Sequence, residues 1–258
     1  MPRIHVDSPL RAGTEVTLPP SAARHVQVLR MQPGEPLTVC DGLGGQWAAE
    51  VLQIGRREVS ARVLAHADVE CELPCQVSLA LGMPANERMD TLVEKATELG
   101  VARIQPLVCE RSVLRLAGER AERKSAHWQA VAVAACEQSG RNRVPVVGQA
   151  QALAAWLAAL PVVQPTATQA AAPADTTCTV RLLLSLDSSA IPIMRYPHLA
   201  TAQHITLLSG PEGGLSPAEQ ALALAQGFTP VSLGPRVLRA DTAPLAALAC
   251  IAALKGAL

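Results

Sequence analysis

At 258 residues, of which 49% are hydrophobic and 17% charged, the chain can bury one large core or two smaller ones, and this composition excludes an intrinsically disordered protein. Its 22 basic and 22 acidic residues cancel, which argues against capture of nucleic acid by gross charge alone. The first residues hold no apolar signal segment, and the apolar run at the C-terminus is shorter than the roughly 20 residues that cross a bilayer. We therefore expect a cytoplasmic protein that makes no membrane contact.

The seven cysteines are scattered along the chain and include no Cys-x-x-Cys pair. Cys71 and Cys75, with His66 upstream, supply only part of a zinc-ligand pattern, because the usual second pair of ligands is missing. The sequence therefore predicts reduced thiols and no bound metal.

Residues 1–70 are predicted to form a small β-rich domain. Short alternating or apolar runs mark four strands, at residues 15–18, 37–40, 46–54 and 59–65. This pattern indicates an antiparallel meander that closes into a small barrel. A short helix that carries His25 is expected between the first strands.

From residue 76 onward strands and helices alternate, which is typical of a parallel sheet with right-handed crossovers. The first strand is followed by a helix that Asn86 caps and Gly100 ends. Lys95 and Glu98 lie one turn apart on this helix, where they either face a site or pair with each other on the surface.

A strong helix is predicted at residues 122–140, because apolar residues recur there at helical spacing. It runs into a polar cluster around Gly140, formed by Glu137, Gln138, Arg141, Asn142 and Arg143. The cluster suits a polar helix end or an RNA contact, since guanidiniums hold phosphates and amides bind the edge of a base. Residues 161–178, rich in Pro, Ala, Thr and Gln, are expected to be a flexible connection without chemistry.

Two glycine-bearing loops, at residues 207–217 and 232–243, give the strongest functional signal. Each follows a short apolar strand and precedes a helix, so both should lie at the carboxyl edge of the sheet, where open α/β sheets bind ligands. In the first loop, Ser216 and Glu219 have the spacing of a capping box. Neither loop has the pattern of a Walker A loop or of a Rossmann dinucleotide site.

These loops read Gly210-Pro211-Glu212-Gly213-Gly214-Leu215-Ser216 and Leu233-Gly234-Pro235-Arg236-Val237-Leu238-Arg239. Together they resemble the cofactor loops of the RsmE family, which are SPOUT-class enzymes that methylate N3 of a uridine in 16S ribosomal RNA with S-adenosyl-L-methionine. Residues 94–101 and 135–145 resemble two further strings of this family. The resemblance implies a SPOUT α/β methyltransferase domain at 76–258, with the C-terminal loops in a trefoil knot.

The string His25-Val26-Gln27-Val28-Leu29-Arg30, with Gly34 and Asp41-Gly42, resembles the N-terminal domain of the same family. It implies that residues 1–70 form a PUA-like RNA-binding β-barrel, so the expected fold class is an α+β / α/β combination. Taken singly, each charged residue of this region also fits a solvated surface.

The resemblance assigns roles to individual residues. The implied cofactor contacts, made through backbone groups and apolar side chains, are Leu208, Gly210, Pro211, Glu212, Gly213, Leu233, Gly234, Val237, Leu238 and Thr242. The implied RNA contacts are Arg3, His25, Arg30, Glu137, Gln138, Arg141, Asn142 and Arg143. For catalysis, Arg239 stabilises the anionic base with Arg236 nearby, and Asp241, Glu212 and Glu137 are alternative general bases.

One departure from the family pattern leaves alternatives open. Members commonly read Leu-Arg-Thr-Glu-Thr-Ala where this chain reads Leu-Arg-Ala-Asp-Thr-Ala, so at Ala240 a hydroxyl is lost and at Asp241 a carboxylate is shortened. The chain could methylate a uridine of small-subunit ribosomal RNA, methylate another RNA, or bind ribosomal RNA as a non-catalytic assembly factor. The expected partner is 16S ribosomal RNA or the small ribosomal subunit, and an apolar final helix around Leu248 and Ile251 predicts a homodimer.

Overall fold

The computed structural model of the chain describes residues 1–56, 58–85, 88–116, 118–161 and 178–258. The predicted cap Asn86 and nearly all of the predicted connection lie outside the described residues. The chain divides into two compact units. Unit 1 comprises Met1–Glu72 and Val133–Val144, and unit 2 comprises Leu73–Ala132 and Pro145–Leu258.

The described part of unit 1 is built around one five-stranded sheet. Its elements are β1 (Arg3–His5), β2 (Glu15–Thr17), α1 (Pro20–Val28), β3 (Pro36–Cys40), β4 (Gln46–Ile54) and β5 (Val59–Ala67). The strand order is β1-β3-β4-β5-β2, and all neighbours are antiparallel except β1 and β3, which are parallel. Among the described residues this order ends at β1 and β2, so the sheet is a half-barrel rather than the closed barrel expected.

The predicted meander is confirmed for β3, β4 and β5, whereas β2 is not next to β3 but pairs with β5 at the edge of the sheet. Strand β1 is absent from the prediction because three residues carry too little alternation to be recognised. Alternate residues of β5, namely Val59, Ala61 and Val63, are completely buried. They pack with the buried face of α1 into a single core, as period-2 patterning requires.

Unit 2 is an α/β structure. In chain order its elements are β6 (Gln76–Gly82), α2 (Arg88–Glu98), β7 (Arg103–Val108), α3 (Gly118–Ser139, whose last residues belong to unit 1), β8 (Val146–Val147), β9 (Gln151–Ala152), α4 (Leu153–Ala158), β10 (Thr179–Leu184), β11 (Ile191–Pro192), β12 (His204–Ser209), α5 (Pro217–Ala225), β13 (Thr229–Ser232) and α6 (Thr242–Leu254). The described strands pair in parallel in the order β11-β13-β10-β12-β6-β7-β8, and β9 also pairs with β7. The predicted parallel sheet is thus confirmed.

The sheet of unit 2 is buried on both faces. In β12, Leu207 packs into one hydrophobic cluster with residues of α2 and α6, and Leu208 packs into another with residues of α4 and α5. Burial on both faces is typical of parallel sheets and explains why their strands are continuously apolar in sequence. Lys95 lies 2.7 Å from Oε1 of Glu98, so these residues form the surface pair.

Helix α6 contains no charged residue. One face, including Leu248 and Ile251, is completely buried in the core, while Leu245 and Cys250 are only half-buried and Leu254 is 37% exposed. The helix therefore keeps a second, partly exposed apolar face. No helix in the described ranges has the length and apolar character needed to span a membrane.

Asp90 joins α2 to α3. Its carboxylate lies 2.8 Å from Nε2 of His127 and accepts a hydrogen bond of 2.9 Å from the indole N–H of Trp128. Partial burial works against the ionised form, but these hydrogen bonds outweigh it and hold the pKa of Asp90 below its usual range. The folded protein thus binds this proton less tightly than the unfolded chain does.

We expect Asp90→Asn to lower the free energy of unfolding by about 1 kcal/mol at pH 7, a modest loss because the carboxylate is one-third exposed and screened by solvent. A lowered carboxyl pKa contributes stability above the unfolded pKa of about 4, and this contribution disappears as the pH falls through the folded value. Urea denaturation at pH 7 and pH 3 should therefore show the difference between variant and parent shrinking at pH 3. An equal difference at both pH values would contradict this account.

Candidate active site

A cavity of about 570 Å³ opens in unit 2 at the carboxyl ends of β10, β12 and β13. Its wall is formed mainly by residues 183–186, 209–215 and 236–240. Its volume falls within the roughly 300–1,000 Å³ that is usual for small-molecule sites. The loops after three adjacent strands thus meet at one site, as expected for an open parallel sheet.

Most of the predicted cofactor residues line this cavity. These are Gly210, Pro211, Glu212, Gly213, Leu233, Gly234, Val237 and Leu238. Both predicted catalytic arginines, Arg236 and Arg239, line it as well. Leu208 does not, because its side chain is fully buried in the core, and Thr242 is exposed at the start of α6 without lining the cavity.

Two parts of the cavity wall are not predicted by the sequence. The end of β10, with residues 183–186, forms part of the wall, and Arg88 at the start of α2 reaches the cavity from a distant part of the chain. β10 contributes because it lies between β12 and β13 in the sheet. The sequence does not reveal the order of strands in a sheet. The apolar run that ends at Ser185 indicates a strand, but not that this strand lies beside the cavity.

Gly82, the last residue of β6, lies against the first loop. A Cβ at this position would be 2.5 Å from Cδ of Pro211 and 2.9 Å from the carbonyl carbon of Gly210. These atoms belong to a proline ring and to backbone, which cannot move aside as a flexible side chain can. The close approach of β6 to the first loop therefore requires glycine.

Glu212 ties the first loop to the region before α2. Its Oε1 accepts a hydrogen bond of 3.0 Å from the backbone N–H of Ala85 and lies 3.4 Å from Nη1 of Arg88. Its carboxylate therefore already has partners within unit 2. This arrangement gives Glu212 a positioning role for the loop in addition to lining the cavity.

The other side of the first loop is held by Arg111 and Glu219. Nη1 of Arg111 donates to the carbonyl of Gly213 at 3.0 Å. The buried Glu219 accepts from the backbone N–H of Glu110 with one oxygen and from that of Ser216 with the other, both at 2.8 Å. Because Oγ of Ser216 accepts from the N–H of Glu219, the predicted capping box is present.

We expect Glu219→Gln to lower the free energy of unfolding by about 1–3 kcal/mol, because an amide has one acceptor oxygen and must turn an NH₂ group toward one of the two backbone N–H groups. The first loop should loosen, and cofactor affinity should fall with it. Thermal melting and calorimetric titration check the two effects. Glu119→Gln is the control, since Glu119 is 82% exposed in an ion pair on the surface; a similar loss in both variants would contradict the prediction.

The second loop presents its two arginines to solvent. Gly234 has a φ of 104°, which favours glycine. The carbonyl of Arg239 accepts hydrogen bonds from the N–H groups of Thr242 and Ala243, so the start of α6 fixes its backbone. Within the described part of the chain, neither Arg236 nor Arg239 forms an ion pair, and both side chains are exposed at the cavity.

Asp241 is placed differently from its two arginine neighbours. It precedes the first residue of α6, but its side chain makes no capping hydrogen bond. Its Oδ1 is buried and has no hydrogen-bond partner among the described residues. Asp241 does not line the cavity, although Ala240 and Ala243 on either side of it do.

Several predicted RNA contacts form a polar network inside unit 1. Arg3 donates from Nη1 to Oε1 of Gln46 at 2.8 Å and from Nη2 to Oδ1 of Asn142. Oε1 of Glu137 accepts from the backbone N–H of His5 at 2.8 Å. Arg3 and Glu137 therefore hold β1 to the end of α3 and to the segment that follows it.

Arg141 and Asn142 are buried, with exposed fractions of 3% and 1%. Arg141 forms an ion pair with Glu72, and the amide of Asn142 donates to the carbonyl of Val69. Their predicted direct contact with RNA does not fit this burial, because a phosphate or base cannot reach these groups. The composition of this segment is typical of an RNA contact, but the sequence does not show that Arg141 pairs with the carboxylate of Glu72 inside the protein.

The other predicted RNA contacts, His25, Arg30, Gln138 and Arg143, are exposed. His25 and Arg30 lie at the C-terminal end of α1. Arg30 has a φ of 54°, which is uncommon for a residue other than glycine and places its side chain just beyond the helix end.

Comparisons with known proteins agree with this architecture. The family model of the RNA methyltransferase domain matches residues 71–252, and that of the RNA methyltransferase PUA domain matches residues 18–64. The chain is 35% identical to ribosomal RNA small subunit methyltransferase E of Synechocystis over 93% of its own length and 73% of that protein. It is 30% identical to the enzyme of the same name from Bacillus subtilis, over 88% and 84% of the two chains.

Among solved structures, a ribosomal RNA small subunit methyltransferase E from Neisseria gonorrhoeae, bound to S-adenosyl methionine, is similar at a TM-score of 0.85. It is 33% identical, and the match covers 98% of both chains. The fold is thus a PUA-like domain followed by a SPOUT methyltransferase domain. The fold, the glycine loops around the cavity and these relatives agree. The chain therefore belongs to the family of RNA methyltransferases that includes ribosomal RNA small subunit methyltransferase E.

Proposed function

We propose that this chain transfers a methyl group from S-adenosyl-L-methionine to N3 of one uridine in 16S ribosomal RNA, and that it does so in the cytoplasm. The observation that carries this proposal is the cavity in which two glycine loops and two exposed arginines meet. Relatives at 30–35% identity named as methyltransferases of small-subunit ribosomal RNA support the choice of substrate.

The residues of the cavity fit such a cofactor. Apolar side chains such as Leu184 and Leu233 can cover an adenine ring, and the backbone groups of both loops can bind its polar edge. A Cβ at Gly210 would be 3.0 Å from the backbone nitrogen of Leu215, so this turn stays tight and leaves no side chain in the cavity. When bound, the cofactor supplies a methyl group activated by a sulfonium.

The chain itself must orient the uracil and stabilise the negative charge that remains after N3 loses its proton. We assign this charge stabilisation to Arg239, assisted by Arg236, because both exposed residues line the cavity and form no ion pair within the described residues. Asp241 stays a candidate general base, with one buried oxygen that has no hydrogen-bond partner among the described residues, but it would have to move to reach the cavity, which it does not line. Glu212 and Glu137 are weaker candidates, since both carboxylates already accept hydrogen bonds.

For RNA binding we propose residues 1–70 as the PUA-like domain and residues 76–258 as the methyltransferase domain. The exposed side chains of His25, Arg30 and Arg143 would contact the RNA, whereas Arg3 and the buried helix-end residues would hold unit 1 together. The trefoil knot through the C-terminal loops stays a prediction of the resemblance.

We also propose a homodimer that pairs through the side of α6 that the core leaves uncovered, at whose edges Leu245, Cys250 and Leu254 remain partly accessible. An uncharged helix that leaves an apolar face uncovered is typical of a subunit interface. Light scattering at micromolar protein should give about twice the chain mass of 27.0 kDa. Leu245→Glu should shift the mass toward that of one chain; a single-chain mass in the parent protein would refute the proposal.

The function is tested by incubating the protein with labelled S-adenosyl-L-methionine and small ribosomal subunits that lack the modification, followed by mass spectrometry of the nucleosides. Formation of N3-methyluridine at one site is the expected result. Cofactor binding without methyl transfer would favour another RNA substrate, which is one of the alternatives that the sequence leaves open. Absence of both would favour a non-catalytic assembly factor that binds ribosomal RNA.

A further inference from the structure

The turn between β3 and β4 contains two neighbouring glycines, Gly44 and Gly45, with φ values of 117° and 66°. A Cβ on Gly44 would collide with the guanidinium of Arg143 and the carboxylate of Glu70, and a Cβ on Gly45 would collide with the imidazole of His66. The glycines thus allow a guanidinium and an imidazole to lie directly against the backbone of the turn. Both groups belong to unit 1 and are positioned by this contact.

The imidazole of His66 also packs on an aromatic ring. Trp47 and His66 are paired residues of β4 and β5, and their ring centroids are 4.7 Å apart at an angle of 55°. Trp47 packs partly against the core of unit 1, whereas His66 is exposed. The indole N–H of Trp47 has no hydrogen-bond partner among the described residues, and it is not completely buried.

This aromatic pair is unusual in a chain that has three Trp, one Tyr and one Phe. Trp128 is completely enclosed in the core, and Trp156 packs against Phe228. Trp47 is therefore the tryptophan that is only half-buried and whose ring neighbour is exposed. A packing role alone explains its buried part but not the exposed imidazole beside it.

A cation and an apolar side chain complete the surface. Nη2 of Arg143 lies 3.1 Å from Oε1 of Glu70, and this same oxygen accepts the N–H of Gly45. The Arg143 side chain is still 57% exposed, which leaves guanidinium N–H groups for a further acceptor. Leu43, which pairs with Arg143 through its backbone, is 68% exposed.

We propose that Leu43, Trp47, His66 and Arg143 form a stacking surface for one unpaired nucleotide of the RNA substrate. Unpaired bases stack on aromatic rings, and a guanidinium fixed by a carboxylate binds the adjoining phosphate. A base within a duplex cannot present its face in this way, so the surface selects single-stranded RNA. The inference rests on the proposed function, since it assumes an RNA substrate, and it adds an RNA contact in unit 1.

Binding of a single-stranded oligouridylate and of an RNA duplex of equal length, measured by fluorescence anisotropy at fixed salt, tests this surface. His66→Ala and Trp47→Leu should each weaken single-strand binding about 5- to 100-fold, while Trp47→Phe retains stacking and loses less than about 3-fold. His66 is exposed, so its variant keeps the fold even where Trp47→Leu loosens the core. Arg143→Gln should make the plot of log affinity against log salt concentration less steep, by about the amount that one phosphate contact contributes.

Trp156→Phe is the matched aromatic control and should leave RNA affinity unchanged. Parent-like single-strand binding by both His66→Ala and Trp47→Leu would overturn the stacking surface, and so would equal losses for single-stranded and duplex RNA. The proposed function is judged separately by methyl transfer to small subunits. A parent protein that transfers no methyl group, but whose His66→Ala variant loses single-strand affinity, would refute the methyltransferase activity and support the surface.

Discussion

Replacing Arg239 by alanine is expected to lower methyl transfer about 100- to 1,000-fold at saturating cofactor and RNA. Arg239 lines the cavity and forms no ion pair within the described part of the chain, so its guanidinium is available to stabilise the anionic uracil. Removal of a single group that stabilises charge in a transition state typically costs this factor. Single-turnover kinetics with labelled cofactor measures the chemical step directly.

The variant should melt at the same temperature as the parent, because an exposed arginine without an ion pair contributes little to stability. Arg239→Lys should retain part of the rate, since it keeps the charge and loses the planar fork. Arg195→Ala, which removes an exposed arginine that does not line the cavity, is the control. A rate for Arg239→Ala equal to that of this control would remove Arg239 from the mechanism.

Gly82→Ala is expected to reduce cofactor affinity at least about 10-fold and to lower the free energy of unfolding by about 1–3 kcal/mol. Its new methyl group would be 2.5 Å from Pro211 Cδ and 2.6 Å from the Pro211 nitrogen, so β6 and the first loop would have to separate. The loop is held on its other side by Arg111 and Glu219, which limits how it can adjust. Isothermal titration calorimetry and thermal melting measure the two losses.

Gly55→Ala provides the comparison for this substitution. Gly55 lies in unit 1, where an added Cβ would be 3.2 Å from the carbonyl oxygen of Glu58, so a small shift accommodates it. Its cofactor affinity should equal that of the parent. If Gly82→Ala also bound the cofactor like the parent, the close contact between β6 and Pro211 would be unimportant for the site.

Much of the α/β architecture can be predicted from the sequence, because apolar strands, glycine helix ends and the capping box at Ser216 are local signals. A parallel sheet predicts that the two loops lie at one edge, and the cavity confirms that they meet there. The contribution of β10 could not be predicted in this way, since its place between β12 and β13 is decided by long-range pairing. The parallel strand β1 could not be predicted for a similar reason, because a strand of only three residues is recognisable only through its pairing with a neighbouring strand.

The helix end around Arg141 shows a second limit. Its composition predicts nucleic-acid contact, and Arg143 is exposed as this requires. Instead, Arg141 forms an ion pair with Glu72, and the amide of Asn142 donates a hydrogen bond to the carbonyl of Val69. Both partners lie about 70 positions earlier in the chain. A local string cannot reveal which of its charged groups will be paired internally.

The division of unit 1 into two chain segments has a consequence for biosynthesis. Residues 1–72 are translated before Glu137, Arg141 and Asn142, so Arg3 and Glu72 are made before the partners that they have in the finished protein. The N-terminal half-barrel can collapse early, but its polar network closes only when residue 144 is available. Unit 1 therefore stays incomplete while residues 73–132 are made, and part of unit 2 is synthesised before unit 1 can finish folding.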